Sequence, residues 1–171
     1  TGVNEFDSNI GYHVGSQGSL YIANMWKRAK GFFDVVGYTG DGVDGRAIPH
    51  SLGVAPEMIW LKRRDASADW PVYHKGNNGG TTPEGYDLRL NTAVAAASSS
   101  YWSDTAPTSS SFTVGASTRV NGNGNSYIAY LFASLDGISK VGSYTGNGSS
   151  QTIDCGFSAG ARFVLIKRTN A

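Results

Sequence analysis

The chain has 171 residues with Lys plus Arg at 14 and Asp plus Glu at 13, so a net charge of +1 gives no global field to gather nucleic acid or an anionic membrane. Its 23 glycines and 16% charged residues suit short strands joined by tight turns better than helices. A single cysteine, Cys155, excludes an intrachain disulfide framework, and no apolar run approaches the roughly 20 residues of a membrane-spanning helix.

Residues 1–18 are polar and Gly-rich and end in VGSQGS, a turn that feeds a strand predicted over Leu20–Trp26. A second strand is predicted over Phe33–Tyr38. TGDGVDG follows it, and because Ile48-Pro49-His50 and another strand come next, not a helix, the glycines read as a turn and not as a phosphate cradle. Ala47–Leu52 is a candidate short strand. In Met58–Arg63, Met58 and Trp60 alternate with Ile59 and Leu61, so both faces are apolar and the strand should be central and covered on both sides. Its Lys62-Arg63 end reads as a strand leaving the core in solvated charge, in preference to an anion site.

Asp69–His74 and Tyr86–Asn91 alternate, the second with Tyr86, Leu88 and Leu90 inward, and KGNNGGTTPEG between them reads as a long mobile loop. TAVAAASSS within residues 91–100 supports one turn of helix at most. Strands over Ser111–Val114 and Tyr127–Phe132 complete the series. The predicted fold class is all-β, an antiparallel β-sandwich of jelly-roll type.

The chain also repeats itself. SLYIANMW, FFDVVGYTGDG and APEMIWLKRRDA recur as NSYIAYLF, ISKVGSYTGNG and GARFVLIKRTNA, with Tyr21 and Tyr127, and Tyr38 and Tyr144, 106 positions apart, and Lys62 and Lys167 105 apart. Such a period is domain-sized, longer than a solenoid unit of roughly 20–50 residues. The expected organisation is the end of one unit in residues 1–30, a complete unit in 31–136 and the start of another in 137–171, with both ends cut from something longer. A strand over Phe163–Arg168, with Leu165 buried like Trp60, follows from the repeat. The Leu20–Trp26 strand is expected to pair with the Ile138–Tyr144 or the Ala161–Lys167 region, or with a neighbouring chain.

The order GFFDVVGYTG, IPHSLGVAPEMIWLKRRDASADWPVYHKG, LRLN, WSDTAPTSSSFTVG, YIAYLFASLDGISKVGSYTGNG and GFSAGARFVLIKRT resembles a recurring β-rich domain of tailed-bacteriophage tail and fibre virion proteins, segments often found beside concanavalin-like modules. The resemblance covers the chain from about Trp26 onward. It implies a virion structural or adhesion role on the extracellular face of the particle, with other virion proteins or further copies of the chain as partners. It carries no catalytic or binding motif onto these positions.

The leading expectation is a non-enzymatic module with no cofactor and no metal. The second is a carbohydrate-binding module in which Trp70, Tyr73, Tyr86, Tyr101 or Trp102 offers a ring face to a host surface glycan. The third is a glycan depolymerase drawing two carboxylates from Asp65, Asp69, Glu84, Asp87 and Asp104. Against it, carboxylates are not kept between the copies: Asp41 is matched by Asn147, Asp44 by Ser150, Glu57 by Arg162 and Asp65 by Asn170.

Overall fold

The computed structural model describes residues 25–170, together with the backbone of Phe6–Asp7 and Gly11–Tyr12. The protein is all-β with antiparallel pairing throughout the described residues, and its only helical segments there are two 3-10 turns. Strands β1 (Phe6–Asp7) and β2 (Gly11–Tyr12) pair with each other. The main sheet contains β3 (Phe33–Thr39), β5 (Met58–Arg63), β6 (Pro71–His74), β7 (Tyr86–Arg89), β8 (Ala97–Ser98) and β10 (Ser126–Phe132), in the order β3-β10-β5-β6-β7-β8. A separate pair joins β4 (Arg46–Pro49) to β9 (Ser111–Val114).

The last strand of the sequence lies between the first and third strands of the main sheet. Tyr127 of β10 stands opposite Tyr38 of β3 on one side and Arg63 of β5 on the other, so both edges of β10 are used. Alternation then sorts the side chains. Ile59, Leu61, Tyr73, Tyr127, Ala129 and Leu131 share one face and pack against Ile48, Phe112 and Val114 of the β4–β9 pair, with Leu52, Trp102 and Val120 closing the cluster. Burying an apolar side chain of this size contributes about 1.5–3 kcal/mol, so this cluster is where the fold draws most of its stability.

The opposite face is covered less completely. Phe33, Phe132 and Val141 are buried there, but Val35, Met58, Trp60 and Tyr130 are only half-buried. Met58–Arg63 is therefore a central strand as expected, with one of its two faces only partly covered.

The TGDG turn is held by close contact. A Cβ on Gly40 would stand 2.2 Å from the Gly122 carbonyl oxygen, so no other residue fits without moving backbone. Buried Asn121 donates from Nδ2 to Asp41 Oδ1 (2.8 Å) and to the Val43 carbonyl (2.9 Å). The Tyr127 hydroxyl donates to the Thr118 carbonyl (2.7 Å) and accepts from Gly122 N–H (2.8 Å). This set of bonds gives Tyr127, Gly40 and the Val120–Asn125 loop a structural role.

Three expectations change. TAVAAASSS stays within its limit of one helical turn and forms none; Ala97–Ser98 pairs with β7, because a sheet edge satisfies the backbone without the unfavourable nucleus of a short helix. The 75–85 loop is compact, with 3-10 turns at Asn77–Gly80 and Pro83–Gly85 and Asn77 fully buried. Tyr86 and Leu90 are half-buried, and only Leu88 of that trio is core.

The largest change is in the second copy. Residues 138–144 and 161–168 form no strand, Leu165 is 46% exposed and Tyr144 49%. The counterparts of these residues obtain ladder bonds from β10, whose two edges are already taken, and among the described residues no strand pairs with 138–144 or 161–168. Most of the predicted Leu20–Trp26 strand lies outside the described residues; Met25 and Trp26 are not in a strand.

One feature is nevertheless shared by both copies. Ala29 N–H donates to the Phe33 carbonyl and the Ala29 carbonyl accepts from Phe32 and Phe33 N–H, while Leu135 N–H donates to the Ser139 carbonyl and the Leu135 carbonyl accepts from Ile138 and Ser139 N–H, each residue displaced by 106. Both turns place a glycine at positive φ, Gly31 at 74° and Gly137 at 71°.

Candidate functional site

The antiparallel order of β5, β6 and β7 brings the end of β5, the start of β6 and the end of β7 to one end of the sheet. The Thr118–Arg119 loop reaches the same end, and the four segments enclose a polar groove of about 430 Å³ lined by Arg63, Ser67, Asp69, Asn91, Thr118 and Arg119. Asp69 is its hub. Its Oδ2 accepts from Arg119 Nη1 (2.9 Å) and faces Arg89 Nη1 (3.5 Å), and its Oδ1 accepts from Asn91 Nδ2 (3.2 Å). Asn91 Oδ1 in turn accepts from Trp70 N–H (3.0 Å), which ties the loop before β6 to the chain leaving β7.

The cations around this groove are engaged. Arg63 pairs with Asp65 (2.6 Å) and donates to Asn125 Oδ1 (3.0 Å), and the Arg63 bond holds the Asp65 carboxyl below its usual range. Lys62 donates to the Ala68 carbonyl (2.5 Å) with its ammonium 5.5 Å from the Trp70 ring centre. The Lys62-Arg63 end is thus half-buried and bonded to the turn that follows β5 and to Asn125. The arrangement offers a carboxylate, a carboxamide and a guanidinium within one concavity. Such a set can orient hydroxyl groups by paired donors and acceptors, but presents no unpaired charge to an ion.

The five aromatic candidates do not gather. Tyr73 (5% exposed) and Trp102 (1%) belong to the core and meet edge to face, so neither offers a ring to a ligand. Burial pushes the Tyr73 hydroxyl up to about 12, with Glu84 and Glu57 nearby adding to the shift. Tyr86 and Tyr101 are half-buried, Tyr101 against the core cluster. Trp70 adjoins the groove; its indole stacks with Tyr130 at 6.4 Å and lies near the Lys62 ammonium.

The carboxylate candidates are equally dispersed. Asp65 is exposed in the turn after β5, Asp69 is in the groove, Glu84 is half-buried in a 3-10 turn, and Asp104 is exposed at φ 46°. Asp87 is a buried residue of β7, where desolvation raises its pKa against the opposing pull of Ser99, Arg89 and Arg119. Among the described residues no three His, Cys, Asp or Glu side chains cluster as a metal site, and no helix is long and apolar enough to cross a membrane.

Sequence reading missed Asn91 and Arg119, because their role depends on Asp69, 22 and 50 positions earlier. No spacing rule links residues that meet only through sheet topology.

No curated protein and no solved structure matches the chain. A family model does match, over residues 15–171. The chain belongs to that family, described as a domain of unknown function, DUF7483.

Proposed function

We propose that the chain is a non-enzymatic structural or adhesion module of a phage virion appendage, a tail fibre or related extracellular fibre, acting as spacer or host-receptor contact. In this reading it is built from tandem β-sandwich units of jelly-roll type, the complete one spanning residues 31–136, flanked by units represented by 1–30 and 137–171. The observation that supports it is the recurrence, 106 positions apart, of one turn with the same hydrogen bonds and a glycine at positive φ. What the repeat conserves is backbone chemistry: turn glycines, the Tyr-Ile-Ala strand and apolar alternation. What it discards is carboxylates, as at Asp41 and Asn147. Repetition of that kind extends an appendage without asking any residue for a unique chemical environment.

The experiment is immunogold labelling of tailed-phage particles that encode this chain, using antibody raised against it. Label at a fixed place on the tail or fibre is the expected result. Particles that carry the intact gene and never bind the antibody, with the chain found only in infected cells, would overturn the reading. Hydrolysis of host capsule or lipopolysaccharide by the purified protein, abolished by one Asp or Glu substitution, would overturn its non-enzymatic part.

A second reading is favoured by the Asp69 groove, whose polar set beside Trp70 suits a host surface glycan. Chemical-shift changes at Asn91 and Arg119 on titration with host envelope glycans, lost in Asp69→Ala, would support it. Saturating glycan that leaves those signals unmoved would exclude the groove.

A further inference from the structure

The two edges of the main sheet are unlike. At one edge β8 has only two residues, and the adjoining Ala96 N–H is taken by the Thr169 carbonyl (2.9 Å). At the other, β3 has seven residues and pairs, among the described residues, with β10 alone. The ladder fixes which groups of β3 face outward. Gly40 N–H donates to the Asn125 carbonyl (2.8 Å) and Ala133 N–H to the Phe32 carbonyl (3.0 Å), so the even-numbered residues turn to β10, while Phe33, Val35, Gly37 and Thr39 turn their N–H and C=O away from it.

Some of these outward groups are capped within the chain. Phe33 N–H and C=O both bond Ala29, Val35 N–H donates to Asp34 Oδ1 (2.9 Å), and the Thr39 carbonyl accepts from Arg46 Nη1 (2.5 Å). What remains without a partner among the described residues is the Val35 carbonyl, the Gly37 N–H and carbonyl, and the Thr39 N–H, with Gly37 and Thr39 exposed. In strand order these read acceptor, donor, acceptor, donor. Edges of this kind are ordinarily blunted by Lys, Pro or a short strand, and FDVVGYT has none of these.

That series is its own complement. With a second β3 turned end for end about Gly37, the two Gly37 residues exchange two bonds, and each Thr39 N–H meets the Val35 carbonyl of the other copy. Every free group is then used and no capped one is needed. The side chains agree with this register, since it sets Val36 against Tyr38 of the other copy, a β-branched–aromatic pair, and Val35 against Thr39. Charge agrees as well: the Asp34 carboxylate that caps Val35 falls opposite the Arg46 guanidinium that caps Thr39 of the other copy, so the two ends of the pairing carry opposite charge.

We propose that the β3 edge is a self-association surface on which a second copy of the chain docks, β3 against β3 and antiparallel, with the two-fold axis at Gly37, joining two main sheets into one. A symmetric contact of this kind consumes the edge on both copies, so association through it stops at the dimer. Its centre is a few backbone bonds, which makes the dimer weak and dependent on concentration. The inference does not rest on a place in a virion.

The test uses the full chain. Sedimentation velocity on the unsubstituted protein should show a monomer–dimer equilibrium that moves with concentration. Gly37→Pro, which removes the central N–H and which an edge strand tolerates, should stay monomeric throughout. Cysteine variants on a Cys155→Ser background then read the register; a Cβ at Gly37 has room, with only the Tyr127 carbonyl oxygen within 4 Å, at 3.9 Å. Gly37→Cys, whose thiols meet at the axis, should form a disulfide-linked dimer at least about tenfold faster than Thr39→Cys, whose Cα atoms lie on the order of 14 Å apart, beyond the roughly 7 Å that a disulfide spans. A chain that is monomeric at every concentration, a dimer that persists in Gly37→Pro, or equal crosslinking at the two positions would each overturn the proposal, the first by leaving the edge to a strand of another protein. Should Gly37→Pro fail to fold, the concentration series and the cysteine pair decide the question.

Discussion

Met58–Arg63 and Phe163–Arg168 carry the same alternation of apolar residues ending in Lys-Arg, yet one is a strand in the main sheet and the other has no strand assignment. Ile59 and Leu61 are fully buried; Val164 and Ile166, their equivalents, are each 66% exposed. The difference is not in the segments but in what stands beside them. A strand exchanges its backbone hydrogen bonds with its neighbours, and β10 has only two edges to give. Alternation in a sequence states which faces a strand will have once it is paired, and leaves open whether a partner is present.

The sharpest break of the comparison is a matched pair of core truncations. Leu61→Ala should cost about 2–5 kcal/mol, the usual loss for a buried leucine in a packed cluster. Ile166→Ala, at the equivalent position, should move the global denaturation midpoint by less than about 0.5 kcal/mol, as exposed substitutions do. Equal losses in the two would show that the C-terminal copy unfolds with the main sheet.

Much of the main sheet was legible in the sequence because its strands carry strong local signals. MIWLKR, SFTV and SYIAYLF alternate and sit between Gly- or Ser-rich turns, and each became a strand at or within a residue of its predicted limits. The turn chemistry of Gly40 and the Val120–Asn125 loop was legible for the same reason. The candidate groove was not, since Asp69, Asn91 and Arg119 are unremarkable in isolation and meet only after β5, β6 and β7 have paired. Nor could sequence separate Tyr73 and Trp102 from Trp70: all are aromatics near turns, and only packing shows which were spent on the core.

A smaller contrast lies at Asp34, whose equivalent by the repeat is the exposed Lys140. Burial pushes the Asp34 carboxyl up, but bonds from Ser51 N–H (2.7 Å), Arg28 and Val35 N–H (2.9 Å) outweigh it and hold the pKa below its ordinary value. Asp34→Ala leaves those donors without their acceptor and should cost about 1–3 kcal/mol, whereas Lys140→Ala should be neutral in thermal unfolding. Glu57 behaves in the same way: burial raises it, and Lys75 (2.7 Å) together with Ser134 more than compensates. For a carboxyl with a depressed folded value, the stabilisation is present above its unfolded pKa and is lost as pH falls through the folded one. The protein should therefore lose stability progressively below about pH 4.5, the upper edge of the unfolded carboxylate range. Asp87, raised by burial, acts in the opposite sense and blunts that loss. The slope of stability against pH below pH 4.5 should flatten in Asp34→Ala; an unchanged slope would remove Asp34 from the account.

The smallest effect separates two tyrosines 106 positions apart. The Tyr38 hydroxyl donates to the Val120 carbonyl, and its ring stacks on Tyr127 at 5.2 Å and meets Phe112 at 6.4 Å. Burial, with Tyr127 close by, raises its pKa, so it stays a neutral donor throughout the accessible pH range. Tyr38→Phe keeps the ring contacts and removes the one bond, leaving a buried carbonyl unsatisfied, and should cost about 1 kcal/mol. Tyr144→Phe removes a hydroxyl from a side chain that is half exposed and should cost nothing measurable in the same denaturant titration. The pair isolates the hydroxyl from the ring, because each substitution retains its aromatic surface. A loss at Tyr144 equal to that at Tyr38 would mean that Tyr144 has found an acceptor of its own.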